Sequence, residues 1–141
     1  MTLNREQILN SPDLQHEEVF IPEWNDSIII REMTAEERDQ FETFYFDDQG
    51  KRKSIKNMMK NIRARLVAFC AIDEQGNRLF TEEDIETLGK KSARIIDRLY
   101  DVAQRLSGIT KKDIEDLSKN LKSGRPDISL SDSPASSESG T

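Results

Sequence analysis

One cysteine and one histidine in 141 residues remove much of the chemistry open to a small protein. Cys70 has no partner for an internal disulfide and cannot complete a structural zinc site. Its place in the apolar run Leu66-Val-Ala-Phe-Cys-Ala-Ile marks it as a packed thiol. His16 lies between Gln15 and Glu17 and reads as an exposed polar residue, yet any Ser-His-Asp site would have to be built on it. The six glycines are isolated, and none forms the Gly-rich strand-to-helix turn that cradles phosphate. No apolar run approaches the roughly 20 residues needed to span a bilayer. The N-terminus has no apolar secretory core, so the expected location is the cytosol, with no membrane partner.

What is present is charge. Charged residues make up 34% and hydrophobic residues 35%, with a net charge of -6. That balance predicts one modest core plus an unpacked segment, and it disfavours a surface that attracts nucleic acid or anionic lipid as a whole. Asn4 with Gln7 predicts a short capped helix that Ser11-Pro12 ends. Val19 and Ile21 alternate around Phe20, and after Pro22-Glu-Trp-Asn-Asp26 the run Ile28-Ile-Ile-Arg-Glu-Met resumes. Two strands around a tight connection, a β-hairpin, explain this alternation. Thr34 and Glu37 make a capping box for a helix from Ala35 to about Phe46, whose Phe41, Phe44 and Tyr45 would turn an aromatic face to the hairpin. Asp47-Asp-Gln-Gly50 breaks it.

From Ile55 to Cys70 the apolar spacing predicts one central helix. Asp73-Glu-Gln-Gly-Asn77 predicts a turn, and Thr81 with Asp84 caps a short helix that Gly89 would end in the left-handed conformation. Ile95, Ile96, Leu99, Val102, Ala103 and Leu106 form a further helical stripe closed by Gly108, and Thr110 with Asp113 would start a last helix carrying Ile114, Leu117 and Leu121. Seven serines between Ser123 and Ser139 mark a segment unable to offset its ordering entropy. The expected architecture is α+β and mainly α: an N-terminal β-hairpin packed on a bundle of about four helices. Residues 1–121 would form the domain and residues 122–141 a flexible tail.

Catalytic and metal sites find little support. The pairs Glu17-Glu18, Glu36-Glu37 and Asp47-Asp48 and the run Glu82-Glu-Asp84 are mostly explained by helix first turns, where acids favour the positive end of the dipole. Asp73, Asn77 and Asp84 suggest a calcium loop, but the register fails: counted from Asp73, Gly falls at the fourth position and Arg78 takes the sixth, where Gly is needed. No cofactor and no enzymatic activity are expected. Lys51, Arg52, Lys53, Lys56, Lys60, Arg63 and Arg65 create local positive potential with no acid between Gln49 and Ile72. A solvated face, a site for an acidic protein partner and a nucleic-acid contact are the readings, and the absence of interleaved aromatics weakens the last. Trp24 at the hairpin tip either caps the core or stands exposed as an interface anchor.

The start Leu3-Asn-Arg-Glu-Gln-Ile-Leu, the hairpin with Val19-Phe-Ile-Pro-Glu-Trp, Thr34-Ala-Glu-Glu-Arg-Asp-Gln-Phe, Asn61-Ile-Arg-Ala-Arg-Leu-Val-Ala-Phe, Arg78-Leu-Phe-Thr-Glu-Glu-Asp-Ile and Leu88 to Gly108 follow one another in an order that resembles the tail assembly chaperones of long-tailed (siphovirus-like) bacteriophages and prophages. The resemblance covers roughly residues 2–118. It implies a protein of the infected host's cytoplasm, absent from the mature particle, that keeps the tape-measure protein soluble while tail-tube subunits assemble around it. It implies the tape-measure protein and the major tail-tube protein as partners, leaves self-association open, and carries no catalytic residues. Partner contacts are then expected at Trp24, Lys51, Arg52, Lys53, Lys56, Lys60 and Arg63. Other readings are a structural tail-completion or connector subunit, and a small nucleic-acid-binding regulator using Lys51 to Arg65.

Overall fold

The computed structural model describes residues 1–109; the expected last helix and the Ser-rich tail lie outside them. The described residues fall into two compact units, residues 1–43 with 61–108, and residues 44–60 with Ile109. In the larger unit, α1 (Arg5–Leu9) carries the reciprocal Asn4–Gln7 cap, each side chain meeting the other residue's backbone N–H at 2.9 Å. Strands β1 (His16–Ile21) and β2 (Asp26–Arg31) form the hairpin, and α2 (Ala35–Thr43) follows on the Thr34–Glu37 box. Glu37 also holds both carboxylate oxygens against Arg31, at 2.8 and 2.9 Å, tying the helix start to the end of β2.

α2 stops three residues early, because Phe44 and Tyr45 belong to the smaller unit. The remaining aromatic, Phe41, is buried and meets Phe69 edge-on at 5.8 Å. The smaller unit holds a second turn and α3 (Ile55–Met59), capped by Ser54. The expected continuous central helix is broken at its midpoint: Lys60 is extended (ψ 121) and Asn61 left-handed (φ 55), after which α4 (Ile62–Cys70) restarts in the larger unit. Apolar spacing carries across such a break unchanged, and Asn is among the few non-Gly residues that enter this backbone region readily.

α4 runs directly into β3 (Ala71–Ile72), which pairs antiparallel with β2 and turns the hairpin into a three-stranded sheet of order β1-β2-β3. Asp73-Glu-Gln-Gly-Asn77 then reverses the chain. The Asp73 carboxylate accepts the N–H groups of Gln75 and Asn77 at 2.9 Å, and its own N–H reaches the Asn77 carbonyl at 2.8 Å. Asp47-Asp-Gln-Gly-Lys51 in the smaller unit builds the same turn from Asp47. In both, glycine supplies the positive φ (81° at Gly50, 89° at Gly76) that ordinary side chains resist. The suspected calcium ligand thus uses its carboxylate to fold its own loop.

α5 (Ile85–Leu88) and α6 (Ala93–Ser107) complete the larger unit. Gly108 closes α6 at φ 72, as expected, but Gly89 is right-handed (φ -64). Its glycine answers a different need: a Cβ there would lie 2.4 Å from the Asn61 side-chain oxygen. The core lies between α4 and α6 and under the sheet, where Leu66, Val67, Ala68, Cys70, Leu99 and Ala103 are buried together with Ile21 and Ile30.

Candidate functional site

The parity of the hairpin decides which side chains it offers. Val19, Ile21 and Ile30 face inward, and Phe20, one residue out of step, stays 56% exposed on the opposite face. Pro22–Trp24 forms one 3-10 turn closed by left-handed Asn25 (φ 53), which leaves Trp24 at the tip with 41% of its surface open. Of the two readings of Trp24, the exposed position is the one observed. Two arginines of α6 clamp the hairpin from its inner side: Arg105 to Glu17 at 2.7 Å and Arg98 to Glu23 at 3.1 Å. The hydrogen bond from Arg98 holds the Glu23 carboxyl below its ordinary value. Glu23 neighbours Trp24, so this ion pair fixes the turn that carries the indole.

The basic residues do not share one setting. Lys51, Arg52, Lys53, Lys56 and Lys60 belong to the smaller unit, Arg63 and Arg65 to the larger. Lys53 places its ammonium 3.6 Å from the centre of the Phe44 ring, and Arg52 is half-buried opposite Phe46 in a β-bridge. Lys51, Lys56 and Lys60 are exposed. In the larger unit Arg63 pairs with Asp97 of α6 at 3.2 Å, and Arg65 pairs with Glu82. Part of the positive charge counted along the sequence is therefore answered by acids that lie far away in the chain.

The helical stripes face inward. Ile62, Leu66, Phe69 and Cys70 on α4 and Ile95, Ile96 and Leu99 on α6 are buried. Cys70 Sγ lies 3.7 Å from Ser107 Oγ, and burial pushes its thiol up to about 11, far from the thiolate a nucleophile needs. Among the described residues no three His, Cys, Asp or Glu side chains gather to hold a metal ion, and no helix is long and apolar enough to cross a membrane. A depression of about 560 Å³ beside α2 is lined by Gln40, Phe69, Arg78 and Phe80, with Arg78 stacked 4.3 Å over Phe69 and bonded to the Ala68 carbonyl. Thr43, Thr81 and Glu82 complete its lining.

Besides Trp24, the large apolar residues exposed among the described ones are Met1, Leu3, Ile8, Leu9 and Leu14 near the N-terminus, Phe20, and Leu79 at 45%, none of which stood out in the sequence as a surface candidate. Phe20 was legible from the strand alternation. Leu79 was not, because its place depends on the turn that returns the chain beside β3, where its N–H meets the Ala71 carbonyl at 3.0 Å.

A search of curated proteins finds no match. Among solved structures the chain is similar to the tail assembly chaperone of bacteriophage HK97, with a TM-score of 0.52 and 17% identity over 72% of this chain and 94% of that one. At that identity the likeness speaks for a shared fold. The sequence profile of phage tail assembly chaperones matches residues 5–120, most of the chain. The chain therefore belongs to the phage tail assembly chaperone family.

Proposed function

We propose that this chaperone binds the tape-measure protein in the host cytoplasm, keeps it soluble while tail-tube subunits polymerise around it, and is left out of the finished particle. One observation carries the reading: the helical stripes of α4 and α6 are spent on the core, while apolar side chains stand exposed at Phe20 and Trp24 on the hairpin and at Leu3, Ile8 and Leu9 around α1. An apolar, largely helical client needs cover of that kind before assembly. Trp24 is the anchor, and of the cations expected at the contact the exposed Lys51, Lys56 and Lys60 orient acidic stretches of the client. Salt-screened contacts of this sort release readily when the major tail-tube protein competes. The work is binding, with no chemical step.

The test is affinity capture of the tape-measure protein of the same phage after co-expression. Wild-type chain should co-elute with it on size exclusion, and Trp24→Ser should weaken capture at least about tenfold, as for an interface hot spot. A tape-measure protein that stays insoluble and uncaptured would end this reading, and the chain found as a constituent of purified virions would assign it to a structural subunit instead.

A further inference from the structure

The outer face of the sheet carries a second, chemically distinct surface. Directly opposed residues of an antiparallel sheet share a face. Glu18 opposes Ile29, and Ile29 opposes Ile72. Phe20 lies two residues on from Glu18, and Leu79, after the turn that follows β3, lines one depression with Ile29 and Ile72. These residues all belong to the larger unit. α4 and α6 cover the inner face, whereas Phe20 and Leu79 on the outer one stay open to solvent.

Ile29, Ile72 and Leu79 floor a depression of about 320 Å³ that Ser27 and Gln75 also line, and its rim carries the acids Glu18, Asp73 and Glu74. Asp73 uses one oxygen to accept neighbouring backbone N–H groups, but none of the three enters an ion pair among the described residues. An apolar floor inside an uncompensated acidic rim is complementary to an apolar stripe flanked by cations.

We propose that this face is a docking site for a helix of a partner protein whose apolar stripe is bordered by Lys and Arg. A helix about 10 Å across matches three strands set about 4.8 Å apart. Long basic side chains can lay their stems on the floor while their heads reach the rim carboxylates. The rim selects against acidic helices and sets the approach, and the floor holds what arrives. On the holdase reading, on which the identity of the partner rests, basic amphipathic segments of the tape-measure protein are the occupants.

Two synthetic amphipathic helices of about five turns test this on the full chain by fluorescence anisotropy. One carries a leucine stripe flanked by lysines, the other the same stripe flanked by glutamates. The lysine peptide should bind at least about tenfold tighter than the glutamate peptide and weaken with salt. Phe20→Ser with Leu79→Ser should lose at least about tenfold in affinity. Glu18→Lys with Glu74→Lys, at exposed positions that leave the core intact, should reverse the preference. Equal binding of the two peptides, or unchanged binding by both variants, overturns the proposal. Concentration-dependent self-association that the same variants abolish, without peptide, would give the face to a second copy and overturn it too. The peptides contain no tape-measure sequence, so their failure leaves the holdase reading standing, and failure of tape-measure capture alongside peptide binding sinks that reading alone.

Discussion

Asn61 and Gly89 show how one residue's backbone decides another's identity. Asn61 is left-handed at the start of α4, and its side-chain oxygen occupies the space a Cβ at position 89 would need. Gly89→Ala should therefore destabilise the protein by about 1 kcal/mol, although the right-handed backbone there would otherwise favour alanine. Adding Asn61→Gly, which keeps the left-handed conformation and removes the obstacle, should make the same change neutral or stabilising; additive costs in urea unfolding would refute the contact. Cys70 gives a second residue-scale expectation. Its thiol rises from an ordinary value of about 9 to about 11 through burial. A raised folded value favours the protonated native state, so this stabilisation is complete below about pH 9 and is lost as pH climbs toward 11, by about 2–3 kcal/mol. Iodoacetamide at pH 8 should leave the native chain unmodified and label it fully in denaturant; rapid native labelling would contradict the packed thiol.

Among elements, the stripes of α4 and α6 are buried while Phe20 and Trp24 of the hairpin are exposed. Leu99 on α6 is buried against α4, so Leu99→Ala should cost about 3 kcal/mol. Phe20→Ser on the outer strand face should cost less than about 0.5 kcal/mol, since little packing is lost. A large thermal shift from Phe20→Ser would place that ring in the core and remove it from any binding face. The clamp between α6 and the hairpin has a pH signature. Glu23 titrates below its ordinary value because of Arg98, so the stabilisation is present above the ordinary glutamate range and is lost as pH falls through the depressed value. Arg98→Met should raise the Glu23 carboxyl midpoint, followed by NMR, toward the ordinary range, and an unchanged midpoint would contradict the clamp. Local signals made most of this legible: caps at Asn4, Thr34 and Thr81, alternation around Phe20, and the stripe ending at Gly108. Periodicity could not show the break at Lys60-Asn61, because apolar spacing is kept on both sides of it. Nor could a two-residue strand be read from Ala71-Ile72, whose extended state exists only because β2 offers it a partner.

At the scale of the whole chain, a net charge of -6 coexists with a basic run that the structure splits between two units. The sequence showed the run but not its neutralisation, because Arg63 and Arg65 meet Asp97 and Glu82 only after folding. It likewise ordered the blocks that resemble tail assembly chaperones and offered Trp24 as an exposed residue, while the exposure of Leu79 emerged only with the turn that returns the chain beside β3. Exposed among the described residues are the apolar side chains around α1, the hairpin tip, the outer sheet face, and Lys51, Lys56 and Lys60 of the smaller unit. The most direct test is the soluble fraction of newly made tape-measure protein, measured by sedimentation from cells that carry the wild-type chain, the Trp24→Ser variant with Phe20→Ser, or no chaperone. Holdase action through the hairpin predicts soluble tape-measure protein with the wild type alone and pelleted protein in the other two. Equal solubility with wild type and variant would contradict it.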